Sequence, residues 1–125
     1  MSANILLVDD DDELRAFVTQ VLKLDNYSVS EAVNGREALK ILASQKIDLV
    51  ITDILMPEME GIELVQNIKK EYSQIKMIGM TGGGKLGDAE NVERMTKLFF
   101  SSFLKKPFDA EDLLKIIRPL LESDS

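Results

Sequence analysis

Three acidic side chains stand where strand-like apolar runs stop. Asp9 and Asp10 follow Ile5-Leu6-Leu7-Val8, and Asp53 follows the run Ile47–Thr52. Two like charges about 4 Å apart repel by roughly 4 kcal/mol at an effective dielectric near 20. Three carboxylates drawn together therefore need a cation or protons. The chain has no histidine and no cysteine, so the natural partner is a hard, oxygen-ligated ion such as Mg²⁺. Taken alone, Asp9 to Glu13 also reads as the solvated start of a helix, because acids favour helix N-termini. Asp53 at an equivalent strand end weighs against that. Two more runs end in reactive polar groups. The run 76–81 ends in Thr81, a hydroxyl donor, and the run 102–105 leads into Lys106-Pro107, whose ammonium could reach the same place. Singly, Thr81 reads as a β-branched strand residue and Lys106 as a surface lysine. Their placement at the ends of two further strands favours a shared site.

Composition narrows the chemistry. With 125 residues the chain has room for one core. The absence of cysteine and histidine excludes disulfides, thiolate catalysis, a Ser-His-Asp triad and His- or Cys-based metal sites. Fifteen basic against 22 acidic residues give a net charge of −7, which disfavours direct nucleic-acid binding. No apolar run is long enough to span a bilayer, and residues 1–4 carry no basic leader-like segment. A cytoplasmic location is expected.

The elements that must position these groups alternate along the chain. Asp11 or Asp12 can cap a helix with Leu14, Phe17, Val18, Val21 and Leu22 on one face, ended at Asp25-Asn26. A strand follows over 27–32, with Val29 inside, and Asn34-Gly35 opens a helix to about Ser44. Ile47–Thr52 forms the next strand, Pro57 closes its loop, and a helix runs from about Gly61 to Tyr72. Lys76–Thr81 is another buried strand, Gly82-Gly83-Gly84 a break, 88–98 a weaker helix and Ser102–Lys105 the last strand. Asp109 with Asp112 resembles a capping box. It opens a helix with Leu113, Ile116, Ile117, Leu120 and Leu121, which Pro119 is expected to kink or end. Five strand–helix units with apolar strands imply an α/β fold: a doubly wound parallel sheet, flavodoxin-like (βα)5, of order 2-1-3-4-5. In that order strands 1 and 3 adjoin at the switch point, and ligands bind beyond the strands' carboxyl ends.

Val8-Asp9-Asp10, Asp53-Ile54-Leu55-Met56-Pro57, Thr81-Gly82 and Lys106-Pro107-Phe108 together resemble the signature of bacterial two-component response-regulator receiver domains. The resemblance covers essentially the whole chain as one receiver domain, 1–125, with no output domain in it, as expected of a stand-alone regulator or of a receiver cut from a longer chain. It implies that Asp53 is the phosphoacceptor. Asp10 would ligate Mg²⁺ (or Mn²⁺) directly, Asp9 mainly through water, and the Leu55 carbonyl would be a further ligand. Thr81 and Lys106 would bind the phosphoryl oxygens, and the bond before Pro107 would be cis. Phe103 stands where the family carries its switch aromatic, and also reads as a filler of the sheet edge. The implied donor is a phosphohistidine on a sensor histidine kinase or histidine phosphotransfer protein. Output would pass through the fourth helix, last strand and fifth helix to a protein target, and a phosphorylation-dependent dimer is compatible with this. The chain would assist only its own phosphorylation and dephosphorylation.

Several features depart from that pattern. Leu55 and Gly83 occupy the positions that, by the resemblance, the family uses to tune phosphoryl lifetime, and neither side chain can orient an attacking water. Phe100-Ser101-Ser102 stands where many receivers have a Gly-Ala pair. Other classes fit less well. The Gly82–Lys85 run lacks the Ser or Thr a phosphate-binding loop needs, since Leu86 follows Lys85. An aspartyl-phosphate phosphatase of the haloacid-dehalogenase type needs an acid two residues after its nucleophile, and here that residue is Leu55. A receiver-like interaction module that signals without phosphorylation would not need the intact set Asp9, Asp10, Asp53, Thr81 and Lys106.

Overall fold

The computed structural model describes residues 3–54, 60–82 and 99–122. Five strands, β1 (Asn4–Val8), β2 (Ser28–Ala32), β3 (Leu49–Asp53), β4 (Lys76–Thr81) and β5 (Ser102–Lys105), form one sheet of order β2-β1-β3-β4-β5. All pairings are parallel. Among the described residues four helices cover it: α1 (Asp12–Leu24), α2 (Gly35–Ser44), α3 (Glu60–Glu71) and α4 (Ala110–Glu122). The expected doubly wound order is therefore observed.

The strands are continuously apolar because both faces are covered. Along β1, Leu6 and Val8 enter a core with α2 and α3, whereas Ile5 and Leu7 enter a second core with α1 and α4. All four are fully buried. The two apolar layers hold the sheet between them, so the strand ends stand on a platform packed from both sides.

Local chemistry sets the element ends. The Asp11 carboxylate accepts from the amides of Glu13 and Leu14, which makes Asp11 the cap of α1. Asn26 takes a left-handed conformation at φ 71°, which asparagine tolerates, and ends that helix. Asn34 caps α2 through the Glu37 amide. Asp109 and Asp112 satisfy each other's amides at 3.2 and 2.8 Å, as a capping box does.

Some expectations need correction. β2 begins at Ser28, and β3 runs Leu49–Asp53, so the acid is the strand's last residue. Pro119 does not end α4, which continues to Glu122. Its missing N–H frees the carbonyl of Lys115, and both residues are exposed, so water can take that carbonyl. Phe17 is 38% exposed rather than buried, and its ring lies against Phe108 at 6.4 Å. Leu55, Pro57, Gly83, Gly84, Lys85 and the helix expected over 88–98 lie outside the described residues.

Candidate functional site

β1 and β3 are neighbours, with Val8 opposite Thr52. Their next residues, Asp9 and Asp53, therefore emerge side by side at the carboxyl edge. The ladder continues one step past β1, because the Asp9 amide donates to the Ala32 carbonyl at 3.1 Å. One carboxylate oxygen from each of Asp9, Asp10 and Asp53 lies within 4.8 Å of the others. Asp9 is fully buried, Asp53 is buried and Asp10 is exposed.

Lys106 reaches this cluster from just beyond β5. Its ammonium donates to Asp9 Oδ2 at 3.0 Å and to Asp53 Oδ2 at 3.2 Å. Burial pulls the ammonium's pKa down. The Asp9 hydrogen bond and the charges of Asp53 and Asp9 outweigh that and leave it above the ordinary lysine value. The Lys106 amide donates to the Thr81 carbonyl at 2.8 Å, which ties the ends of β4 and β5 together. Thr81 is buried at the end of β4, and the Lys106–Pro107 peptide bond is cis. Thr52 donates its hydroxyl to the Asp53 carbonyl at 3.2 Å.

Asp9, Asp10, Asp53 and Lys106 thus meet at one point, and Thr81 lies on the same edge. Phe103 sits further back on β5, opposite Gly79, with its ring 5.2 Å from that of Phe100. A β-carbon at Gly79 would lie 2.6 Å from Ile54 Cδ1 and 3.2 Å from Phe100 Cε1. Gly79 therefore leaves the space that these two side chains fill.

Arg15 was not singled out as a site residue on sequence grounds. Its guanidinium donates to the Asp9 carbonyl at 2.8 Å and to Glu31 at 3.1 Å, and it also bonds Asp12. The only signal was its place in the first turn of α1, from which a long side chain points back toward the helix start.

The donor set suits a hard cation. Three carboxylates offer oxygens only, and one of them faces water, as a partly hydrated Mg²⁺ requires. No thiolate or imidazole is present to favour zinc or copper.

Fold and site together define a doubly wound α/β domain with an acidic, lysine-bridged cluster at the switch point of its sheet. The chain belongs to the response regulator receiver domain family, whose pattern matches residues 5–118. It is similar to sporulation initiation phosphotransferase F of Bacillus subtilis, at 31% identity over 97% of this chain and 95% of that protein. It is also similar to the sensor kinase CckA of Brucella abortus, at 35% identity over 97% of this chain but only 13% of that protein. Of several other relatives, among them transcriptional regulators, the chain spans 27% to 59% of their length. Among solved structures, the response regulator TrrA of Thermotoga maritima in complex with Mg²⁺-BeF superimposes with a TM-score of 0.81. It shares 30% identity over 94% of this chain and 98% of that one. The chain is a receiver domain of the two-component response-regulator type. No described helix is long and apolar enough to cross a membrane.

Proposed function

We propose that this receiver accepts a phosphoryl group on the Asp53 carboxylate from a phosphohistidine of a sensor kinase or phosphotransfer protein. The observation that carries this reading is the ammonium of Lys106 bridging Asp9 and Asp53 beside Asp10. On this reading the arrangement would supply a nucleophile, a cation site and a fixed positive charge at one strand edge.

An oxygen of Asp53 attacks the donor phosphorus in line. The new O–P bond forms as the P–N bond to the donor imidazole breaks, and the imidazole leaves with that electron pair. Phosphoryl transfer depends mostly on positioning and charge neutralisation. Lys106 supplies a fixed positive charge to the phosphoryl oxygens, and the Thr81 hydroxyl donates to another oxygen. Asp9, Asp10, Asp53 and the Leu55 carbonyl would hold Mg²⁺ (or Mn²⁺), which supplies further neutralisation of the same oxygens. A relative of this fold has been solved as a Mg²⁺-BeF complex, which supports the assignment. Once phosphorylated, Asp53 draws Thr81 toward it, and Phe103 turns toward the vacated space. A downstream protein reads the changed surface beside β5.

The test is incubation with acetyl phosphate or a phosphoramidate and Mg²⁺, read by intact mass. Wild type gains one phosphoryl group and Asp53→Asn gains none, because an amide is a poor nucleophile. Undiminished labelling of the asparagine variant overturns the assignment of Asp53. A wild type that takes no label points instead to an interaction module that signals without phosphorylation.

A further inference from the structure

We propose that Arg15 is a positioning residue for the cation pocket, acting through the peptide that joins Asp9 to Asp10. The inference rests on the Mg²⁺ reading above and assigns a role to a side chain outside the carboxylate set.

The carbonyl of Asp9 belongs to the peptide unit whose other end is the Asp10 nitrogen. Its direction therefore governs where the Asp10 side chain emerges. Arg15 donates to that carbonyl at 2.8 Å. The rest of Asp9 is held from other sides. Its amide donates to Ala32, one carboxylate oxygen accepts from the Asp11 amide at 2.9 Å, and the other accepts from Lys106. Asp10, by contrast, is exposed. The aim of its carboxylate is inherited from the backbone on either side.

The guanidinium is itself fixed. Its Nε donates to Glu31 Oε1 at 3.1 Å, another nitrogen bonds Asp12, and Glu31 accepts the Thr19 hydroxyl through its second oxygen at 3.0 Å. The Arg15 side chain is only 12% exposed. A planar fork with several donors can hold β1's end, α1 and β2 at once, whereas an ammonium is a point charge. Partners that orient metal ligands from behind typically change metal affinity by about 10- to 100-fold when removed.

Charge and position predict opposite signs. If Arg15 acted only through its charge, deleting it would leave the pocket more negative, and Mg²⁺ would bind more tightly. If it positions Asp10, deleting it weakens Mg²⁺ binding.

The experiment titrates the whole chain with Mg²⁺ and follows the backbone amide resonances of Asp10 and Asp11. Wild type, Arg15→Ala and Arg15→Lys are compared. Both variants should bind about tenfold or more weakly, and lysine should recover little of the loss. In the metal-free protein, hydrogen exchange at the Asp11 amide should accelerate in both variants while the amides of Val18 and Leu22 inside α1 do not.

Tighter binding in Arg15→Ala, or wild-type binding in Arg15→Lys, overturns the positioning role. Equal acceleration along all of α1 also overturns it, because that marks a general loosening of the helix. A wild type that shows no Mg²⁺ response refutes the cation reading itself. The metal-free exchange arm still judges whether Arg15 holds the Asp9–Asp10 peptide.

Discussion

Replacing Lys106 with methionine keeps an unbranched stem and removes the charge that holds the acids together. The ammonium lies 3.0 Å from Asp9 Oδ2 and 3.2 Å from Asp53 Oδ2. At an effective dielectric near 20 each contact is worth roughly 5 kcal/mol of attraction. Much of that offsets the cost of taking the charges out of water, which is greatest for Asp9 because it is fully buried. Removing one partner of a buried ion pair costs about 3–5 kcal/mol, because the other charge stays behind uncompensated. The Lys106 side chain is 24% exposed, which places the expected loss at the lower end, about 3 kcal/mol. For a domain of this size that is roughly 10 °C in Tm. The assay is thermal unfolding followed by circular dichroism in a metal-free buffer with chelator. Mg²⁺ should then stabilise the variant more than wild type, because the cation takes over the missing positive charge. Saturation a hundredfold above Kd adds about 2.7 kcal/mol to whichever form binds. If Lys106→Met melts at or above the wild-type temperature without metal, Lys106 does not balance these carboxylates, and the electrostatic account of the pocket fails.

Gly79→Ala should destabilise the domain by about 1–3 kcal/mol through overpacking, since the new methyl meets Ile54 Cδ1 at 2.6 Å and Cγ1 at 2.9 Å. Adding Ile54→Val should recover part of that in chemical denaturation, and a neutral Gly79→Ala would refute the packing argument. The Arg118 hydrogen bond holds the Asp25 carboxyl below its ordinary value of 3.8. A lowered acid pKa contributes stability above the ordinary value and loses it as pH falls through the folded one. The stability gap between wild type and Arg118→Gln should therefore be present at neutral pH and close in acid, and an acid-independent gap would exclude this cause.

The strand order and the meeting of Asp9, Asp10 and Asp53 were legible because parallel sheets leave a strong sequence trace. Strands buried on both faces read as unbroken apolar runs, and an abrupt acid at the end of one marks the edge. Lys106 was legible from its place before Pro107. Arg15 was not, because its role depends on a backbone carbonyl, and carbonyls carry no residue-type signal. The pairing of Gly79 with Phe100 and Ile54 was equally hidden, since it joins β4 to residues far from it in sequence. Pro119 does not end its helix because that outcome requires a freed carbonyl in need of a partner inside the protein, whereas Lys115 and Pro119 face water.

The two neighbouring acids of the pocket are unequal, and burial explains how. Asp9 has both carboxylate oxygens, its amide and its carbonyl engaged, and none of its surface is exposed. A cation bound directly there would have to share those oxygens with the Asp11 amide and the Lys106 ammonium, on a carboxylate with no exposed surface. Asp10 is exposed and needs no such sharing. Mg²⁺ gives up its waters reluctantly and usually keeps several of them. On the proposed metal reading an incoming ion would meet Asp10 first, at the lowest desolvation cost. Asp9 would then serve it through a retained water while it continues to hold Lys106. On that reading the buried acid orients the lysine and the exposed acid would receive the ion. The Asp9–Asp10 peptide, gripped by Arg15, keeps the two in register.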